Sequence, residues 1–248
     1  MNTLRACWKL TRLALHLIRG LVTIHFVFPK LNPTQKQERI QAWALSLLAQ
    51  IAIKFEVHGE APQHGPVLLV ANHVSWLDIV VLLASCPCRF VSKVEVGRWP
   101  VIGTLTHAAG TLFIARESRR DALRVVHQMA QALQPETGLV LTIFPEGTTS
   151  NGQQVLPFHA NLFQAAIAAE APVQALALRF EDVASGAPSL AACYIDQDTL
   201  MASVWRTLSA SPLRVVLNFG QAQHAQGRDR RTWAADMRLE VDRLRTTH

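Results

Sequence analysis

Histidine and aspartate stand five residues apart in Asn72-His73-Val74-Ser75-Trp76-Leu77-Asp78. An imidazole titrates near pH 6.5 when unperturbed, so His73 can take a proton close to neutrality. A carboxylate bonded to one ring nitrogen fixes the tautomer and leaves the other nitrogen open as a base. On a continuous helix this spacing would splay the two side chains, so the pairing needs His73 ahead of a helix and Asp78 in its first turn. The same letters support a second reading. Ser75-Trp76-Leu77-Asp78 fits a capping box with Asp in place of Glu or Gln, in which Asp78 serves only the helix end. Two further stretches carry chemistry. Gly110 to Arg116 is an apolar strand closed by Arg, whose planar fork matches phosphate oxygens. Leu141 to Ser150 runs into Phe144-Pro145-Glu146-Gly147-Thr148-Thr149-Ser150, a turn rich in backbone N–H groups and hydroxyls that can face an anion. Taken singly, Arg116 reads better as a surface ion-pair partner and Glu146 as a turn-forming carboxylate than as site residues.

Other chemistries lack their residues. No GxSxG occurs, so a serine nucleophile elbow has no place to form. No HExxH or comparable ligand cluster points to a metal. Cys7, Cys86, Cys88 and Cys193 form no CxxC pair and no disulfide framework, which is the pattern of ordinary thiols in a reducing compartment.

These groups need a scaffold that ends strands beside one another. Short apolar runs alternate with helical stretches from about residue 54 onward. The runs Lys54 to His58, Val67 to Ala71, Cys88 to Ser92, Thr111 to Ala115, Leu139 to Phe144, Val173 to Phe180 and Leu213 to Phe219 predict strands. Helices are expected over 76–85, 118–134, 157–170 and 229–245. The alternation predicts an α/β fold with a mixed, largely parallel sheet flanked by helices. His73 then comes after a buried strand and before a helix, where α/β proteins commonly build sites.

The first 53 residues differ. Arg5, Lys9, Arg12, His16 and Arg19 recur in steps of four, three, four and three, which lines them along one helix face, while Leu4, Trp8, Leu15 and Ile18 lie largely on the other side. The clean apolar run Leu21 to Phe28 is less than half of the roughly 20 residues a spanning helix needs. Basic residues reach into that run, unlike a secretory signal. A basic amphipathic helix lying in a bilayer interface fits the pattern, against the plainer reading of a helix packed on its own domain. Ile40, Trp43, Leu47, Leu48 and Ile51 predict a second helix within 34–55, making an antiparallel hairpin with the first. Only 17% of residues are charged, below the usual quarter, and the formal charge is +6, which together favour contact with an anionic bilayer. With one Tyr and no basic run interleaved with aromatics, nucleic acid is a poor partner. Two regions are expected, a membrane-associating 1–53 and a catalytic 54–248.

In this order the motifs resemble the glycerolipid acyltransferase family, specifically the 1-acylglycerol-3-phosphate acyltransferases. Asn72, His73 and Asp78 match its NHxxxxD motif, Arg116 its strand-ending Arg, and Phe144 to Thr148 its FPEGT motif. Ala171-Pro172-Val173-Gln174-Ala175-Leu176 loosely matches a fourth, proline-containing strand. The resemblance covers roughly residues 55 to 220. It implies direct acyl transfer, with no covalent acyl-enzyme, from acyl-CoA or acyl carrier protein to the sn-2 hydroxyl of lysophosphatidic acid. His73 and Asp78 would be catalytic, and Asn72, Lys93, Arg116, Glu146, Gly147 and Thr148 would contact substrate. No cofactor and no metal are implied. The implied location is the cytoplasmic face of the cytoplasmic membrane. Many members carry Arg where Thr149 stands, Pro where Ala175 stands and Lys where His159 stands. A branch that acylates lyso-ornithine lipid, which lacks the phosphate, is the alternative. From another class, a non-catalytic membrane-binding protein retaining the fold is the rival.

Overall fold

A computed structural model describes residues 2–114, 119–195 and 197–247. The elements run α1 (Asn2–Phe26), α2 (Pro33–Gln50), β1 (Lys54–His58), β2 (Val67–Ala71), α3 (Leu77–Ser85), β3 (Cys88–Lys93), α4 (Val94–Gly97), α5 (Ile102–Ala108) and β4 (Leu112–Ile114). They continue through α6 (Arg119–Ala132), β5 (Val140–Ile143), α7 (Phe163–Ala168), β6 (Val173–Asp182), α8 (Leu200–Ser209), β7 (Leu213–Gln223) and α9 (Arg230–Thr246).

Seven strands form one sheet in the order β1-β7-β6-β2-β5-β3-β4. Every neighbouring pair is parallel except β6 and β7. The mixed, largely parallel sheet expected from the sequence is therefore present. Both faces are covered, which explains why β2 reads Val-Leu-Leu-Val-Ala without polar alternation and is buried throughout. Leu69, Ala71, Leu176, Leu178 and Leu217 face a core shared with α1, α2, α3 and α8. Leu68, Val70, Leu141, Ile143 and Ala175 face a second core closed by α6, α7 and α9. Trp233 and Phe163 are fully buried in that second core. Burying a side chain of the Phe class contributes roughly 1.5–3 kcal/mol.

The register decides where chemistry can sit. Val70 of β2 lies beside Ile143 of β5 on one side and Ala175 of β6 on the other. The segments that leave β2 and β5 therefore emerge side by side at the carboxyl edge of the sheet. Lys93, the last residue of β3, pairs with Ile114, the last residue of β4, on the same edge.

The expected N-terminal hairpin is present, and it is part of the body. Ala6 and Leu13 of α1 and Ala44, Leu47 and Leu48 of α2 are buried in the core that also holds α3 and α8. Asn32 and Gln35 form a reciprocal capping box that starts α2. His16 does not join an open basic face. It is buried, stacked on Trp43, and its ring bonds Trp43 O at 3.0 Å and Gln50 at 2.8 Å.

Three helical segments, α4, α5 and α8, have no counterpart among the helices expected from the sequence. The helix expected over 157–170 shrinks to 163–168 with a single 3₁₀ turn before it. Residues 156–159 instead fold beneath the turn after β5, where His159 N–H donates to Pro145 O at 2.8 Å.

Candidate active site

β2 ends at Ala71 while its neighbour β6 continues, and Asn72 spans the gap. Its Oδ1 accepts Leu178 N–H at 2.8 Å and its Nδ2 donates to Leu178 O at 3.0 Å. The side chain thus imitates the next rung of the ladder and satisfies two buried backbone groups. The motif resemblance puts Asn72 among the substrate contacts; in the structure it is buried, with both polar ends engaged by the strand.

The next three peptide units each aim an N–H at a carboxylate. His73 N–H donates to Glu146 Oε1 at 2.8 Å. Val74 and Ser75 N–H both donate to Asp78 Oδ2, at 2.7 and 2.9 Å. The same Oδ2 lies 2.7 Å from His73 Nδ1. Since a carboxylate only accepts, Nδ1 carries the proton and Nε2 is left with a lone pair. Among the described residues no hydrogen bond engages Nε2, and the imidazole is 20% exposed while Asp78 is fully buried. α3 begins at Leu77, whose N–H donates to Ser75 Oγ at 3.2 Å. Asp78 therefore sits in the first helical turn, where the helix dipole favours its charge. One oxygen of Asp78 thus accepts the backbone ahead of α3 and holds the His73 ring.

The FPEGT segment supplies the opposite wall. Phe144 stacks on the His73 ring, with centroids 3.9 Å apart and planes 10° from parallel, and Phe90 stacks behind Phe144 at 6.0 Å. Gly147 has φ of +72°, which glycine adopts without strain, and its N–H is spent on Phe144 O at 3.0 Å. Its role is to turn the chain; its own N–H is not open to a substrate oxygen. Glu146 is buried and accepts Leu156 N–H at 3.1 Å through its second oxygen. Burial pushes its pKa up to about 7, against the pull of the His73 and Leu156 N–H groups. Thr148 is exposed next to this turn, and Lys93 is exposed at the end of β3. Arg116 lies outside the described residues.

Some contacts around the pair carry no signal in the sequence. Ser150 N–H donates to His73 O at 2.8 Å and Tyr194 N–H donates to Val74 O at 3.0 Å. Both act through the backbone, so residue type gives no warning of them. Thr149 directs its hydroxyl to Tyr194 O. Nearby Cys193 is buried, and burial together with the Asp78 carboxylate pushes its thiol up to about 11. It stays a thiol at neutral pH, a poor nucleophile.

A base with an open ring nitrogen, oriented by a buried carboxylate at the carboxyl edge of a parallel sheet, suits removal of a proton from a hydroxyl. A family model described as acyltransferase matches residues 54–179. The 1-acyl-sn-glycerol-3-phosphate acyltransferase of Neisseria gonorrhoeae is 40% identical over 188 residues, 75% of this chain and 72% of that protein. The lyso-ornithine lipid O-acyltransferase of Pseudomonas aeruginosa is 38% identical over 210 residues, 84% of this chain and 79% of that protein. Among solved structures, the 1-acyl-sn-glycerophosphate (LPA) acyltransferase PlsC from Thermotoga maritima superposes with a TM-score of 0.66 at 16% identity, over 99% of this chain and 98% of that one. That last likeness is one of fold.

Proposed function

Because the chain belongs to the acyltransferase family, we propose that it moves a fatty acyl group from acyl-CoA or acyl carrier protein to the sn-2 hydroxyl of lysophosphatidic acid, giving phosphatidic acid. The observation that carries the mechanism is the His73 ring held by Asp78 at 2.7 Å with Nε2 open. Nε2 takes the hydroxyl proton as the oxygen attacks the thioester carbonyl. The tetrahedral oxyanion collapses, the C–S bond breaks, and the imidazolium returns its proton to the departing thiolate. No acyl group is held on the protein. Base catalysis of this kind is worth roughly a hundred- to ten-thousand-fold. Charge developing on the carbonyl oxygen needs a donor, and Lys93 stands on the correct edge of the sheet. Arg116 and Thr148 are assigned to the acceptor head group. Glu146 is assigned a positioning role, since both of its oxygens hold backbone N–H groups.

The transfer is proposed to occur at the cytoplasmic face of the cytoplasmic membrane, with residues 1–53 as the membrane-associating part and 54–248 as the transfer domain. Leu4, Trp8, Leu15, Ile18, Val22 and Phe26 are exposed along one stripe of α1, beside the exposed Arg5, Arg12 and Arg19. No helix among the described residues is long and apolar enough to cross a membrane, which suits a helix lying in the interface.

A second acceptor is favoured by one feature. Thr149, standing where many relatives carry Arg, turns its hydroxyl inward to Tyr194 O and offers no cation to a phosphate. Lyso-ornithine lipid needs none. Assaying the purified protein with lysophosphatidic acid and lyso-ornithine lipid side by side decides the acceptor, and a preference for the second overturns the first assignment while keeping the chemistry. Folded His73→Ala and Asp78→Ala variants with full transfer activity would sink the catalytic reading and leave a membrane-binding protein.

A further inference from the structure

We propose that the Thr149 hydroxyl is a positioning group for the His73–Asp78 pair, acting through the irregular segment 191–195. This rests on the reading of His73 as the base.

The two peptide units that feed Asp78 Oδ2 are each gripped at their other end. The 73–74 peptide donates to Oδ2 through Val74 N–H and accepts Ser150 N–H on its carbonyl at 2.8 Å. The 74–75 peptide donates through Ser75 N–H and accepts Tyr194 N–H on its carbonyl at 3.0 Å. A peptide unit is rigid and planar, so a donor fixed at the carbonyl end sets the direction of the N–H end. Chained hydrogen bonds also polarise one another in a buried site. The aim of both N–H groups, and with it the place of the oxygen that orients His73, depends on where Ser150 and Tyr194 are held.

Ser150 follows the turn after β5. Like Ser150, Tyr194 lies in neither strand nor helix, so other contacts must hold it. One side of its segment is tied to α8: Ser203 Oγ and the Arg206 guanidinium donate to Cys193 O, and Thr207 Oγ1 donates to Ala191 O at 3.2 Å. On the catalytic side, Thr149 Oγ1 donates to Tyr194 O. A ring of hydrogen bonds results. Val74 O takes Tyr194 N–H, Tyr194 O takes the Thr149 hydroxyl, and Ser150, the neighbour of Thr149, donates back to His73 O. The Cys193 thiol adds a long contact of 3.7 Å to Asn151 O. Thr149 is the side chain that closes the ring. An Arg at this position has no hydroxyl with which to close it.

The test is steady-state kinetics on full-length Thr149→Val and Thr149→Ser, with His73→Ala as the control and thermal unfolding measured alongside. Valine keeps the volume and loses the hydroxyl; serine keeps the hydroxyl. Displacements of about an ångström near reacting groups cost on the order of a hundredfold. We expect Thr149→Val to lose between about tenfold and a hundredfold in kcat with both KM values unchanged, and Thr149→Ser to restore most of the loss. Should the valine variant not fold, Thr149→Ala takes its place, compared with serine in the same way. A rise in acceptor KM alone means that Thr149 touches substrate, and the proposal falls. A lower unfolding temperature with unchanged kcat means the ring is only structural, and the proposal also falls. Wild-type kinetics in Thr149→Val overturn it too. If His73→Ala keeps its kcat, the underlying base reading has failed; if His73→Ala is inactive and Thr149→Val is not slowed, only the positioning role has.

Discussion

Replacing Asp78 separates the two tasks proposed for its carboxylate. In Asp78→Ala, His73 Nδ1–H and the N–H groups of Val74 and Ser75 lose their shared acceptor inside the protein. A buried donor left without a partner costs about 1–3 kcal/mol. Three such donors give a loss of roughly 3–6 kcal/mol once partial rehydration is allowed, a large part of a total stability of about 5–15 kcal/mol. Asp78→Asn is different. The amide oxygen can accept where Oδ2 stood, and the buried charge with its desolvation cost is gone. The two terms oppose each other, so Asn should unfold within about 2 kcal/mol of the wild type. Catalysis has no such compensation. A neutral amide cannot stabilise the imidazolium, and its NH₂ can select the tautomer that blocks the base. The expected fall in kcat is at least a hundredfold and approaches ten-thousand-fold. Urea unfolding of all three proteins, with initial rates of acyl transfer measured on the same preparations, checks both halves. An Asn variant keeping more than a tenth of wild-type kcat would refute the orienting role. An Ala variant as stable as the wild type would refute the capping role.

Three further perturbations test other parts of the molecule. Glu146 has a folded pKa raised from 4.5 to about 7. Between those values the folded state holds a proton that the unfolded chain has released. Its contribution is therefore complete below about pH 4.5 and is lost as pH rises through about 7, a change on the order of 3 kcal/mol. Subtracting the stability of Glu146→Gln from that of the wild type across this window should give a falling line, and a flat or rising line contradicts the burial of a titrating carboxyl. Asn72→Ala should cost roughly 2–4 kcal/mol by orphaning Leu178 N–H and C=O, with acceptor KM in the folded protein unchanged; a KM rise without destabilisation would return Asn72 to the substrate site. Trp8→Glu with Ile18→Glu on the exposed stripe of α1 should weaken binding to anionic vesicles by more than about tenfold without loss of fold, and unchanged binding would dismiss that stripe as the membrane surface. Full-length variants are the right probe, because Ala6, Leu13, Leu47 and Leu48 help build the central core and deletion of the hairpin would open it.

Legibility in the sequence tracks physical cause. Buried parallel strands must be apolar on both faces, so β2 is visible as an unbroken run. The position of Glu146 beside His73 is not, because it depends on β5 lying next to β2, and strand order leaves no mark in local composition. The helix pattern fails at 157–159, where Pro157 and the bond from His159 to Pro145 O draw the chain under the site instead. Tyr194 is hidden for a deeper reason: it contributes a backbone N–H and C=O, which every residue but proline possesses. Its partner Thr149 is visible as a departure from the family pattern, yet its use is not.

Capping and catalysis compete as explanations of HxxxxD when judged by spacing, and the geometry allows one carboxylate to serve both. A helix N-terminus presents unsatisfied N–H groups and a positive end, so a carboxylate placed there is held by several donors and its negative charge is favoured. Those are the properties needed in a group that must carry charge while orienting an imidazole. Asp78 uses a single oxygen for Val74, Ser75 and His73, so the backbone ahead of α3 and the imidazole ring share one acceptor. Its other oxygen is buried with no hydrogen-bond partner among the described residues. The interaction is thus concentrated on one side of the carboxylate, and any rotation of that group disturbs helix and ring together. The peptide units around the pair are gripped by the turn after β5 on one side and by residues 191–195 on the other.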